Sequence, residues 1–197
     1  MTAIRDARPG DSAAILAVTL AAYEQYAAAL PPPLWAMYRQ NIQATLADVR
    51  PAAQIVAEEA GALVGTVLLY PAGTAMANPG GTPVTLACPE VRLLAVPPAA
   101  RGKGVARRLM DECIQRARAA GAPALTLHTA DIMAVAMRLY ERMGFGRAPE
   151  LDFSPAPGIT AKGYRLPLTV PPLTLPSPQR GEGGLREPSP PKGERAG

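Results

Sequence analysis

The sequence predicts one α/β domain, and three stretches of its 197 residues predict it. Residues 90–96, E-V-R-L-L-A-V, are apolar and stop at Pro97 and Pro98; residues 104–120 then carry Val105, Leu109, Ile114 and Ala117 at helical spacing. Residues 124–129 alternate as a strand, with Leu125, Leu127 and Thr129 on one face, and a helix follows from about 131 to 143 with Gly144 in the C-cap place. Residues 54–59 and 62–70 read as a hairpin turning at Ala60 and Gly61.

The remaining elements follow from local signals. Residues 2–8 predict a first strand, and Asp11 predicts the cap of a helix reaching about Ala29. Three prolines at 31–33 break the chain, and residues 34–49 predict a second helix with Leu34, Tyr38, Ile42, Thr45 and Val49 on one face. A loop over 71–83, with Asn78, Pro79, Gly80 and Gly81 as its tip, is long enough to act as a lid. Residues 146–153 and 161–168 predict closing strands separated by a turn at 154–158. Beyond Val170 the chain is dense in Pro, Gly and charge and has almost no core-forming residues. Burial there cannot offset chain entropy, so the expectation is a domain over 1–169 and a disordered tail over 170–197. Within that tail P-S-P-Q-R-G-E at 176–182 recurs approximately at 188–194. A partner-binding arm would explain the repeat; a translated repetitive DNA element appended to the gene explains it more simply.

The turn between the strand at 90–96 and its helix carries the first functional signal. Residues 101–106 read R-G-K-G-V-A. Glycines leave little side chain in front of the first helical N–H groups, which have no intrahelical partner. Unpaired donors at the positive end of a helix dipole make an anion cradle. The P-loop pattern is absent, and the third glycine and the acidic residue of a dinucleotide fold are missing too. Plain turn formation is the bland alternative for a glycine-rich turn taken alone.

The second strand and helix, with L-Y-E-R-M-G-F at 139–145, sharpen that reading. Together these segments resemble the GNAT N-acetyltransferase superfamily. Its acetyl-CoA motif, [QR]-x-x-G-x-[GA], is matched by Arg101, Gly104 and Ala106. The L-Y-E-x-x-G-F of its next helix is matched by Leu139, Tyr140, Glu141, Gly144 and Phe145. I-R-D-A-R-P-G-D at 4–11 is similar to its first strand and helix start. The resemblance spans roughly 1–168. It implies a mixed, mostly antiparallel sheet of about seven strands that splays beside the cofactor strand, flanked by about four helices. It also implies acetyl-CoA as cosubstrate, no metal, and a primary amine as acceptor, in a small molecule or a protein.

Pantetheine is a chain of amides, so the edge formed by Leu94, Ala95 and Val96 could pair with it as a further strand. The pyrophosphate would lie on the amides of Gly102, Lys103, Gly104, Val105, Ala106 and Arg107. Arg101, Lys103, Arg107 and Arg108 would add charge, although a solvated helix face is the preferred reading for the last two side chains. Acyl transfer to an amine needs a neutral amine, a donor for the developing oxyanion and a proton for the leaving thiolate. Tyr140 stands where the family commonly places a tyrosine near the CoA sulfur, and the oxyanion donor is most simply a backbone N–H such as that of Leu94. Two candidates stand for the base. Glu90 falls on the side of Arg92 and Leu94 by period-2 counting, facing the acceptor cleft or else pairing with Arg92 at the surface. His128, the lone histidine, ends the next strand and titrates near neutrality when unperturbed, or else is structural. Met133 departs from the family pattern, which often has a cofactor-contacting asparagine seven residues before the tyrosine.

Composition sets further bounds. No apolar run approaches 18 residues and the first residues are charged, so a cytoplasmic protein without membrane partners is expected. Cys88 and Cys113 match no metal spacing and read as reduced and structural. The net charge of +4 falls to +3 without the tail, and no basic run is interleaved with aromatics, so nucleic acid is not indicated. A homodimer is allowed. Tyr23, Tyr26, Trp35 and Tyr38 lie on the two early helices, either packing them on the sheet or walling an acceptor pocket. Two rival functions remain: an acyl-CoA-binding module without catalysis, and a toxin-like relative acting on aminoacyl-tRNA, for which the basic surplus is small.

Overall fold

In the computed structural model, which describes residues 1–76, 83–156 and 158–168, the chain opens with strand β1 (Ala3–Asp6). The expected tail at 170–197 and the tip of the expected lid at 78–81 lie outside the described residues. Asp11 does not cap the following helix. Its carboxylate accepts the Arg8 N–H at 2.7 Å and binds Arg5 at 2.6 Å, tying the connection back to β1. Helix α1 (Ser12–Tyr23) buries Ile15, Thr19, Ala22 and Tyr23, spaced three or four apart as one helical face requires. The single helix expected to Ala29 is split: Glu24–Ala29 continue as a tighter 3-10 turn. Helix α2 (Pro32–Ala47) starts on two prolines, whose missing N–H groups cost nothing at a helix start.

Strands β2 (Ala53–Glu59) and β3 (Ala62–Tyr70) form the expected hairpin. Its turn needs positive φ at both central residues, and Ala60 (51°) and Gly61 (79°) supply it. The expected lid loop is not loop throughout: β4 (Ala75–Met76) pairs with β5 (Val84–Thr85) as a small ribbon. Strand β6 (Glu90–Ala95), helix α3 (Val105–Ala119), strand β7 (Ala124–Thr129) and helix α4 (Ala134–Arg142) fall where expected, with a 3-10 turn at Asp131–Met133 opening α4. The end of the domain differs. A strand expected over 146–153 is instead β8 (Gly146–Arg147), a 3-10 turn at Pro149–Leu151 and β9 (Phe153–Ala156), which takes Ser154 out of the expected turn; residue 157 lies outside the described residues. Strand β10 (Ile159–Pro167) closes the domain.

The main sheet has eight strands in the order β1-β2-β3-β6-β7-β10-β8, with β9 attached to β10. Its pairs are antiparallel except β6 with β7. One face packs on α3, where Leu109, Met110 and Cys113 meet Ile55, Val67, Val91, Leu125 and Leu127. Burying one such side chain contributes about 1.5–3 kcal/mol. The other face meets α1 and α2 through Ala95, Ala22, Tyr23 and Ile42. Gly65 sets the height of α3. A Cβ there would stand 2.9 Å from Val105 Cγ1 and 3.0 Å from Leu109 Cδ1, so the missing side chain lets the N-terminal end of α3 rest against β3.

Candidate active site

Two neighbouring parallel strands part company at the centre of the sheet. β6 and β7 pair only at Glu90 with Thr126 and Val91 with Leu127. Beyond that point β6 stays with β3 as far as Ala95, while β7 stays with β10, so a gap opens between them. A bulge bends β6 there: Leu68 opposes Arg92 and Thr66 opposes Ala95, three steps on β6 against two on β3. Leu93 is the extra residue and holds φ at +50°, a strained value for leucine worth about 1–3 kcal/mol. The bulge changes which side each residue faces. Leu93 packs towards Tyr23 and Ile42, whereas Leu94 and Val96 pack towards α3. The expectation that Leu94 shares a side with Glu90 and Arg92 is therefore wrong, because period-2 counting fails across a bulge.

A cavity of about 490 Å³ fills the gap and runs to the start of α3. Of the residues expected to hold the cofactor, Leu94, Val96, Arg101, Gly102, Gly104, Val105, Ala106 and Arg107 line it, and Ala95 and Lys103 do not. Ala95 turns its methyl to the α1 and α2 side, and Lys103 reaches away to Glu59 at 3.5 Å. The backbone N–H groups of residues 102–107 have no acceptor among the described residues. Gly102 (φ 78°) and Gly104 (φ 75°) curl the chain so that these six donors precede and open the helix. A Cβ built on either glycine meets nothing within 4 Å, so the space before the amides is open.

The basic side chains do less here than their spacing suggested. Arg101 donates to the Val96 carbonyl (3.0 Å), Gln25 (2.9 Å) and the Ala22 carbonyl (3.3 Å), stapling the turn to α1 instead of facing the cradle. Arg107 pairs with Asp111 at 2.9 Å and Arg108 donates to the Thr2 carbonyl at 2.9 Å. The cradle's attraction for anions thus rests on the amides and the helix dipole. Arg142, which sequence reasoning missed, also lines the cavity from the last turn of α4. No motif marks it; only the path of α4 beside the gap does.

Tyr140 lines the same cavity, 6% exposed, with its ring 5.9 Å from Phe145. Burial pushes its hydroxyl well above the usual phenol range, so it stays protonated. Met133, in the place of the family's asparagine, lines the cavity with a thioether. Tyr23 and Tyr26 also line it, while Trp35 and Tyr38 stack behind them at 6.2 Å from each other.

Glu90 neither lines the cavity nor lies at the surface. It is 2% exposed, accepts Arg92 Nε at 2.6 Å, and stands 3.5 Å from His128 Nδ1. His128 lines the cavity and bonds the Leu151 carbonyl through Nε2 at 2.8 Å. A carbonyl cannot donate, so Nε2 carries a proton. Nδ1 then presents either a lone pair or a second proton to a carboxylate that is too far for a hydrogen bond but close enough for an ion pair. Burial opposes the charged ring, yet Glu90 and the Leu151 carbonyl outweigh it and raise the histidine above its ordinary 6.5. Burial likewise opposes ionised Glu90, and His128 and Arg92 outweigh it. Glu90 and His128, the two candidate bases, are thereby brought together as an ion pair with each other.

The fold holds that pair from behind. The 3-10 turn at Pro149–Leu151 crosses β10 at Gly163, opposite His128. A Cβ on Gly163 would collide with Leu151 and come within 2.8 Å of the Ala148 carbonyl, so only glycine lets the turn deliver its carbonyl to the ring. Asp152 anchors the turn by accepting the Gly163 N–H at 2.8 Å.

The site as built can seat an anion on six amides, thread an extended amide chain into an open strand gap, and end near a protonated phenol. Among the described residues no group of three metal-ligating side chains occurs, and no helix is long and apolar enough to cross a membrane. Residues 19–145 match the acetyltransferase (GNAT) family. Over 69 residues the chain is 41% identical to an "IAA acetyltransferase" of Azospirillum brasilense, a match spanning 34% of this chain and 45% of that relative, so less than half its length. A GNAT-family acetyltransferase of Staphylococcus aureus Mu50 superposes with a TM-score of 0.65 at 15% identity, over 86% of this chain and 100% of that one. A GNAT-family acetyltransferase of Brucella melitensis, solved in complex with acetyl-CoA, superposes with a TM-score of 0.58 at 24% identity, over 86% and 90%. At such identities the two structures speak to the fold.

Proposed function

The chain belongs to the acetyltransferase (GNAT) family, and we propose that it moves an acetyl group from acetyl-CoA directly to a primary amine. The observation that carries this reading is the continuity of one cavity from the free amides of 102–107 to Tyr140. Acetyl-CoA, when bound, supplies an activated acyl thioester. The amides of 102–107 would hold its diphosphate, and the free edge of β6 past the bulge would align its amide arm. The N–H groups at Leu93 and Leu94, freed by the bulge from regular pairing, are the donors best placed for the thioester oxygen as charge grows on it.

Arg92 puts positive charge beside the gap, which disfavours the ammonium form of an entering amine and keeps its lone pair free. Tyr140 holds its proton at neutral pH and would give it to the leaving sulfur, while the amine nitrogen loses one proton as its new C–N bond forms. That second proton returns the phenolate to phenol, so the products are an amide and a free thiol. Neither Glu90 nor His128 needs to act as the base in this scheme.

Their mutual pairing is also the observation that favours a second reading, an acyl-CoA-binding module without catalysis. Thiol release from acetyl-CoA, followed with an amine panel and mass spectrometry of the products, separates the two. An acetylated amine formed faster than in buffer supports transfer; tight acetyl-CoA binding with no acceptor in the panel supports the module.

A further inference from the structure

The same cavity carries an imbalance of charge. Its lining includes Arg92, Arg101, Arg107 and Arg142 but no Asp or Glu. Arg101 and Arg107 are engaged at the α3 end, as described above. Arg92 lies at the opposite end: four residues before Val96, it is further along the strand by at most about 13 Å, the reach of a regular strand at roughly 3.3 Å per residue, which the bulge at Leu93 shortens. It therefore stands past the point where the thioester would end, on the side of the sheet covered by α1 and α2.

Arg92 is held in one orientation. Its Nε donates to the buried Glu90 at 2.6 Å, and its guanidinium lies over the Tyr70 ring, 5.7 Å from the centroid. Nη1 and Nη2 have no acceptor among the described residues, and the side chain is 32% exposed. A guanidinium fixed at Nε and free at its outer fork is matched in shape to a carboxylate, which takes both Nη donors at once. The charges agree. Arg92 shares the single carboxylate of Glu90 with His128, so an anion at the outer fork would complete the guanidinium's partners. Tyr23 and Tyr26 supply an apolar wall nearby.

We propose that the acceptor is an amino carboxylate of the amino acid type, bound through its carboxylate by the outer fork of Arg92 with its side chain against Tyr23 and Tyr26. This rests on the acetyl-transfer reading of the same cavity. A polycationic amine would meet Arg92 unfavourably.

The test compares the twenty L-amino acids, their C-terminal amides and spermidine as acceptors for the full chain and for R92K. Lysine keeps a cation for Glu90 but cannot present the fork. The expected result is kcat/KM at least tenfold higher for an acid than for its amide. R92K should abolish that preference while leaving KM for acetyl-CoA and the melting temperature nearly unchanged. Amides or spermidine acetylated as well as the acids, or R92K slowing acids and amides equally, overturns the proposal and leaves acetyl transfer standing. If nothing is acetylated, calorimetry with the same amino acids and CoA decides. Binding of acids that R92K weakens tenfold or more keeps the carboxylate site and removes the transfer reading, and no binding removes both.

Discussion

Nδ1 of His128 faces the carboxylate of Glu90 across 3.5 Å, with both groups largely out of water. This gives a pH dependence with a definite sign. His128 titrates higher in the fold than its ordinary value of 6.5, so its contribution is fully present below 6.5 and is lost as pH rises through the raised value. Glu90 titrates lower than its ordinary 4.5, so its contribution is present above 4.5 and is lost as pH falls through the lowered value. The pair therefore stabilises most between about pH 4.5 and 6.5. Melting curves of the native chain and H128Q should differ most in that window, by roughly 1–3 kcal/mol for a charged contact. The gap should narrow on both sides. An NMR titration placing the His128 ring below 6.5 would show that the ring is neutral and the pairing absent.

The cradle makes a prediction that separates ligand binding from folding. Gly104 sits at φ 75° with open space before it, so backbone conformation alone demands glycine within the protein. Asparagine tolerates that conformation better than other L-residues. G104N should therefore melt within a few degrees of the native protein. Its side chain would stand in front of the amides of 102–107 and weaken acetyl-CoA binding at least tenfold, about 1.4 kcal/mol. Unchanged affinity in G104N by calorimetry would take the diphosphate away from these amides.

How much of this was legible depends on whether the determinant is local. The R-G-K-G-V-A turn was readable because two glycines and a helix start are short-range signals, and the amides of 102–107 indeed lack acceptors among the described residues. The bulge at Leu93 was not, since a leucine at positive φ leaves no trace in the pattern, and it inverted the facing of Leu94. Arg101 is legible as a motif residue, but its bonds to Gln25 and Ala22 cross more than 70 residues of sequence. Glu90 and His128 each read as a candidate base from sequence. Their meeting requires the parallel register of Glu90 with Thr126, which no property of either segment alone specifies. The closing strands were misread because Gly163 and Leu151 matter to each other and to His128 only in three dimensions.

That last contact can be broken on purpose. In G163A the new methyl would press on Leu151 and the Ala148 carbonyl, forcing the 3-10 turn outwards. Overpacking of this kind costs about 1–3 kcal/mol. The turn's retreat would also withdraw the Leu151 carbonyl from His128, so the ring should titrate lower than in the native protein. A lowered melting temperature with an unmoved His128 titration would mean that the carbonyl does not hold the ring.

Tyr140 tests the chemistry most directly. Its ring packs on Phe145 and is almost fully buried, so phenylalanine preserves the packing and removes only the hydroxyl. If that hydroxyl gives its proton to the departing sulfur, Y140F should lower kcat by tenfold or more, within the range of general acid catalysis, because a thiolate leaving without a proton is the harder step. Acetyl-CoA affinity should change less than twofold, since, on the proposed reading, the amides of 102–107 hold the cofactor. Raising the pH should not rescue the variant, because the lost hydroxyl supplies a proton and a higher pH only removes proton sources. Should Y140F turn over at the native rate with an amine that the native protein acetylates, the proton reaches sulfur from the solvent or the acceptor itself, and Tyr140 is a packing residue of the α4 face.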